Sequence, residues 1–245
     1  MIILFILILG AIFASFVSTA AYRIPRGISI ILPFSECGNC NTRLKPYELI
    51  PVFSYIFLGG KCRYCKQRIP FRYFFAEIIL PVTWFFIYLK YGFSILGYIF
   101  YANSLILLYL SLIDVDTGFV AIWEILMVYL TGVLYIFCLV MGYLPGFLWE
   151  SLKAVIVGVG VVLLSYGIVY LIKRRIPMGG GDLLLLPGLS IFLSIEKVLM
   201  MLVITGVLGI TISTFLLISG KAKREQKFPF IPFLSAGFFL EVLIF

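Results

Sequence analysis

Ser94-Ile-Leu-Gly-Tyr-Ile-Phe-Tyr-Ala-Asn-Ser-Leu-Ile-Leu-Leu-Tyr-Leu-Ser-Leu-Ile-Asp114-Val-Asp116-Thr-Gly118 carries no charge until it stops on two carboxylates. A hydrocarbon core of about 30 Å takes roughly 20 helical residues to cross, so this stretch reads as a membrane span with acids at one end. Cutting the rest of the chain at its charges, glycines and prolines gives further apolar runs of the same kind. The eight segments fall at 2–22, 74–89, 94–113, 119–141, 152–172, 183–195, 198–219 and 228–245. The sixth is short and follows three glycines, which suits a tilted helix or one that starts inside a protein-lined cavity. The first has no basic residue ahead of its apolar run and is read as a span rather than a signal peptide.

Composition agrees with this reading. Of 245 residues, 63% are hydrophobic and 12% charged, against about 45–50% and about 25% in soluble domains. The expected fold class is therefore an all-α polytopic membrane protein of about eight transmembrane helices. Three parts are expected: a first transmembrane helix at 1–22, a water-exposed module at 23–72 and a seven-helix membrane core at 73–245. There is no histidine, which removes Ser-His-Asp, Cys-His and histidine-ligated metal chemistry.

The 19 Lys and Arg residues cluster. Nine lie between Arg23 and Arg72, three at Lys173, Arg174 and Arg175, and four between Lys221 and Lys227, all on one side of an eight-span chain. By the positive-inside rule that side is cytoplasmic. The net charge of +8 is then accounted for by topology and anionic lipid, and no nucleic-acid partner is implied.

The module at 23–72 contains Cys37-Gly-Asn-Cys40 and Cys62-Arg-Tyr-Cys65. Two such knuckles can bring four thiolates to one tetrahedral ion, in the manner of a zinc ribbon. Zinc is favoured over paired disulfides, which a reducing cytosol does not sustain. Four cysteines leave no open position, so the ion's role is structural. Cys138, inside an apolar span, reads as a small packing residue.

Only three aspartates exist, Asp114, Asp116 and Asp182, and the topology puts all of them at the cytoplasmic boundary. A carboxylate next to hydrocarbon is costly and marks a functional site by default. Two close carboxylates share a proton, so one can activate water while the other protonates a leaving group, which is aspartic-protease chemistry. Asp114 and Asp182 are the candidate pair. Asp116, before Thr-Gly, reads as a turn or cap residue. Gly179, Gly180 and Gly181, ahead of Asp182, would let an extended substrate backbone approach. Glu77, early in the second span, is the remaining acid of interest, as an interfacial or a functional residue.

These residues together resemble the type IV prepilin peptidases, closest to the late-competence processing proteases of Gram-positive bacteria. The resemblance is carried by Ala14-Ser-Phe16, Arg23-Ile-Pro25, the four cysteines with Glu48-Leu-Ile-Pro51 and Gly60-Lys-Cys62, Ile113-Asp114, Gly179-Gly-Gly-Asp182 and Pro229-Phe-Ile-Pro-Phe233. It implies a GxGD intramembrane aspartyl protease of the bacterial cytoplasmic (inner) membrane. Such a protease removes the basic leader from type IV prepilins or pseudopilins of pilus or competence systems. It also implies N-methylation of the new terminus with S-adenosylmethionine. By the same resemblance Asp114 and Asp182 are catalytic, Cys37, Cys40, Cys62 and Cys65 bind zinc, and Gly60, Lys61 and Glu48 are methyl-transfer residues. Two positions depart from the family pattern. Ala121-Ile122 stands where Pro followed by Asp or Asn is usual, and Leu184 replaces a frequent Lys. The alternatives are another GxGD intramembrane protease, and a non-catalytic membrane assembly or ion-pathway protein.

Overall fold

The computed structural model describes residues 1–32, 34–144, 146, 148–173, 180–220 and 228–244, with the side chains of 169, 172, 173, 180, 182 and 183 excepted. Its helices are α1 (Ile2–Arg23), a short α2 (Phe53–Phe57), α3 (Phe71–Tyr91), α4 (Ile95–Thr117), α5 (Ile122–Val140), α6 (Leu148–Lys173), α7 (Gly180–Ser190), α8 (Ile195–Ile218) and α9 (Ile231–Ile244). Six of them, α1, α3, α4, α5, α6 and α8, are long and apolar enough to cross a bilayer; α9 is a shorter apolar helix. The chain forms two compact units, Met1–Gly92 and Phe93–Phe245.

In the first unit α1 lies on α3 through a small-residue seam. Gly10, Ala14, Val17 and Ala21 are buried along one face of α1. A Cβ at Gly10 would come within 2.8 Å of Pro81 Cα, so glycine sets how closely the two backbones approach. Small residues serve here because lipid tails are as apolar as leucine, and close van der Waals packing is what holds helices together.

In the second unit α4 is the central helix, with Asn103, Leu107, Leu110 and Ile113 all at most 2% exposed. It packs on α5 and α9, α9 packs on α8, and α7 packs on α5 and α6. The α8–α9 contact depends on Gly237, whose hydrogen faces Thr205 Oγ1 where any side chain would clash. Asn103 shows how polarity is tolerated in this core: its amide donates to Ile99 O, and its oxygen accepts from Thr131 (both 3.0 Å).

Helix ends differ from the sequence expectation, most clearly in α4 and α7. The 94–113 span continues through both aspartates, because Gly118, at φ 63°, caps α4 four residues beyond Asp114. The expected 183–195 helix begins earlier and ends at Ser190, since a turn over 191–194 leads into Ser194, the extended residue before α8. Leucines and isoleucines fill both sides of that break, so apolar periodicity gives no sign of it.

Candidate functional site

The module between α1 and α3 is built from one motif used twice. Bridges between Glu36 and Arg43, and between Lys61 and Arg68, each pinch off a loop holding one cysteine pair. Cys37 N–H donates to Thr42 O and Asn41 N–H to Cys37 O; Cys62 N–H donates to Gln67 O and Lys66 N–H to Cys62 O, all at 2.8–3.0 Å. Asn41 and Lys66, each following its second cysteine, take φ of 52° and 61° and close the knuckle. The motif recurs at an offset of 25 residues, from Cys37 to Cys62.

The four sulfurs lie within 4.8 Å of one another, and all four cysteines are free thiols. Hydrogen bonds from Gln67 N–H and the Asn39 amide hold the Cys65 thiol down at about 6, while burial pushes Cys37 up to about 11. The Thr42 hydroxyl and N–H also lower Cys40. Four soft donors in a closed cluster can hold one metal ion and suit a tetrahedral one.

The remaining residues expected in this module take definite places. Glu48 is 6% exposed; its Oε2 accepts from Lys45 N–H (2.8 Å) and from the Tyr64 hydroxyl (3.4 Å). Its Oε1 is buried and has no partner among the described residues. Lys61 has an exposed side chain. Gly60 has φ 67°, and a Cβ there would meet the Tyr55 ring at 2.9 Å; that ring stacks on Phe74 at 4.7 Å. Glu77 reaches back from α3, its Oε2 accepting Val52 N–H at 2.6 Å. Val52 sits at φ 65°, ψ −54°, with Phe53 N–H bonded to Pro51 O at 2.7 Å. This is a γ-turn of the strained hand, unusual for a β-branched residue. Glu77 thus pins the end of the Glu48–Pro51 stretch.

In the second unit Asp114 is 8% exposed on the last turns of α4. Its Oδ2 accepts Ile231 N–H at 3.0 Å, across 117 residues of sequence. Ile231 is the first residue of α9, where amides lack helical partners and the helix dipole presents its positive end. Pro232 follows at a position whose N–H the helix does not need. One turn above, the hydroxyls of Ser111 and Ser235 meet at 3.2 Å and hold the same two helices together.

The turn after Asp114 is locked by a residue the sequence reading missed. Glu124, 4% exposed, accepts Ala121 N–H through Oε2 (2.9 Å) and the Tyr109 hydroxyl through Oε1 (3.0 Å). Its signal was a lone acid in the first turn of an apolar helix, the position from which a carboxylate reaches back to the N-cap amide. The locked turn lies beside the glycine run: a Cβ on Gly181 would stand 3.4 Å from both Val120 O and Ile125 Cδ1. Asp182 is in the first turn of α7. Its side chain lies outside the described residues, as do Gly179, Arg174, Arg175 and the 221–227 segment. Asp116 is half-buried in the last turn of α4, one residue before its end.

Known proteins bear on both units. Residues 8–91 match the bacterial peptidase A24 N-terminal domain, and residues 101–214 match the type IV leader peptidase family. A protein of Burkholderia pseudomallei named prepilin leader peptidase/N-methyltransferase is 30% identical over 225 residues, covering 87% of this chain and 68% of its own. The chain belongs to the type IV leader peptidase family. A Bacillus subtilis protein of the same name is 28% identical over 246 residues, with 96% and 92% of the two chains covered. One of Pseudomonas putida is 27% identical over 269 residues, with 96% and 88% covered. No solved structure matches. The type IV leader peptidase described here is an integral membrane protein, consistent with its six long apolar helices.

Proposed function

We propose that this type IV leader peptidase cleaves the basic leader from prepilin or pseudopilin precursors at the cytoplasmic face of the bacterial inner membrane. It then N-methylates the new terminus with S-adenosylmethionine. The observation that carries the cleavage reading is the convergence at Asp114. A buried carboxylate held by the α9 amide stands on the helix whose end-turn touches Gly181, the residue before Asp182.

Asp114 and Asp182 are the pair we assign to hydrolysis. One carboxylate takes a proton from water as it attacks the scissile carbonyl, and the other protonates the departing amine. The Ile231 amide keeps the Asp114 carboxylate oriented. Gly179, Gly180 and Gly181 leave the approach free of side chains, so the substrate backbone can be extended beside the carboxylates. The basic side of the sequence supports the cytoplasmic placement: of 19 Lys and Arg, 16 fall on the loops assigned there (nine, three and four).

Zinc is the ion we assign to Cys37, Cys40, Cys62 and Cys65, as a structural centre with no open position. Methyl transfer is assigned to the same module, with Glu48, Gly60 and Lys61 as its residues. The unpartnered Glu48 Oε1 supports an acceptor for a cationic group there, and Gly60 shapes the turn that leads to Lys61. The new terminal amine, in its neutral form, attacks the donor's methyl carbon; the sulfur leaves neutral, and the amine's proton goes to solvent.

The test is the mass and N-terminal residue of a prepilin incubated with the purified protein and S-adenosylmethionine. The product should lack its leader and carry one added methyl group. A product that keeps its leader would overturn the cleavage reading, and a cleaved but unmethylated one would remove the second activity. A Lys61→Ala protein should cleave normally and leave the product unmethylated.

A further inference from the structure

We propose that the cleft between Phe34 and the 43–49 segment binds the headgroup of an anionic phospholipid, with Ile31, Leu32 and Phe34 inserted among the acyl chains. This site belongs to the Met1–Gly92 unit, and its chemistry does not depend on that of the aspartates.

Depth is the first argument. The 22 residues of α1 rise about 33 Å at 1.5 Å each, which places Arg23 at the bilayer edge. Arg23 ties the following loop to that level: its guanidinium donates to the carbonyls of Ser29, Ile30 and Phe34 at 3.1–3.3 Å. The Ile28 N–H also bonds back to Arg23 O at 3.0 Å. The loop is therefore strapped onto the helix end and cannot rise far into water.

Its side chains fit that level. Ile31, Leu32 and Phe34 are 81%, 58% and 56% exposed. Held in water they would leave a contiguous apolar tip, which soluble surfaces avoid. Set at the membrane edge they gain roughly 25 cal/mol for each Å² withdrawn from water.

The cleft supplies the polar half. It encloses about 530 Å³, with Phe34, Leu44, Pro46 and Leu49 as apolar walls and Arg43 and Lys45 as cations. The Arg43 guanidinium lies 3.8 Å over the Phe34 ring, so charge and apolar tip are fixed side by side. Neither Arg43 nor Lys45 makes an ion pair among the described residues. Two cations outside any ion pair, beside exposed isoleucine, leucine and phenylalanine, match a phosphodiester joined to acyl chains. A free anion would leave the apolar part unexplained.

Native mass spectrometry of the full chain, released from detergent with phosphatidylglycerol or phosphatidylcholine, tests this. Phosphatidylglycerol should be retained in preference to phosphatidylcholine, and R43A/K45A should bind it about 25-fold more weakly, each cation near an anionic headgroup being worth roughly fivefold. R43K/K45R, which keeps both charges, should retain wild-type binding. Metal content reports folding of the module; should R43A/K45A lose its metal, Arg43→Gln alone carries the test, with a loss of about fivefold. Unchanged phosphatidylglycerol binding in the variant would overturn the proposal. So would equal competition by inorganic phosphate, which lacks acyl chains. Displacement of the lipid by S-adenosylmethionine, together with weaker S-adenosylmethionine binding in R43A/K45A, would overturn it too and give the cleft to the methyl donor.

Discussion

Asp116 is two residues from Asp114 in sequence but points from another side of the helix, 200° around at 100° per residue, so the two cannot do the same work. Asp116→Asn should therefore keep most of the wild-type cleavage rate, read from the mass of a processed prepilin. Glu124 is a different kind of acid, a positioning residue whose two oxygens hold a backbone amide and a tyrosine hydroxyl. Glu124→Ala leaves two half-buried donors without their acceptor, at up to about 1–3 kcal/mol each. Its thermal unfolding midpoint in detergent should fall clearly, and Glu124→Gln, which can still accept one bond, should fall less. Some of this was legible and some was not. The cysteine spacing and the three aspartates speak from sequence because each motif is local and its residue types are rare in an apolar chain. The Ile231 amide on Asp114 is invisible there, since a backbone N–H has no letter in the sequence and its partner is 117 positions away. Glu124 had a letter and a position. It was passed over because Ala121 offers no side-chain oxygen, so the reciprocal N-cap pattern is only half present.

At the scale of the elements, the membrane helices were readable as apolar runs, and their ends less so. Gly118 ends α4 by its backbone angle, and the α7–α8 break lies in a stretch as apolar as its flanks. What decides how the helices meet is the placement of glycines. At Gly10 a side chain would collide with backbone of Pro81 rather than with a movable side chain. Gly10→Leu should therefore separate α1 from α3 and cost about 1–3 kcal/mol. The check is faster proteolysis of the first unit than in wild type, with the 93–245 unit unaffected. The strained turn at Val52 is another element-level device. Glu77→Ala should free it, raising hydrogen exchange over 50–53, since its N–H would lose a 2.6 Å bond.

For the whole molecule, the proposed assignments put two kinds of chemistry in the two compact units. The thiol cluster and the Glu48–Lys61 stretch lie in Met1–Gly92, and the aspartates in Phe93–Phe245. Metal removal should therefore act unequally. Chelation, or Cys62→Ser, should unfold the knuckles if, as proposed, the four thiols share an ion, because small modules of this kind fold on their metal. Methylation should then be lost while leader removal persists, as followed by product mass and by elemental analysis of the purified protein. Leader removal stands on the aspartate pair, and one comparison addresses it directly: a single prepilin incubated with wild type, Asp114→Asn, Asp182→Asn and Asp116→Asn at matched protein levels. Processing should vanish in the first two variants and survive in the third. Efficient cleavage by Asp182→Asn, or loss in Asp116→Asn with Asp114→Asn still active, would contradict it.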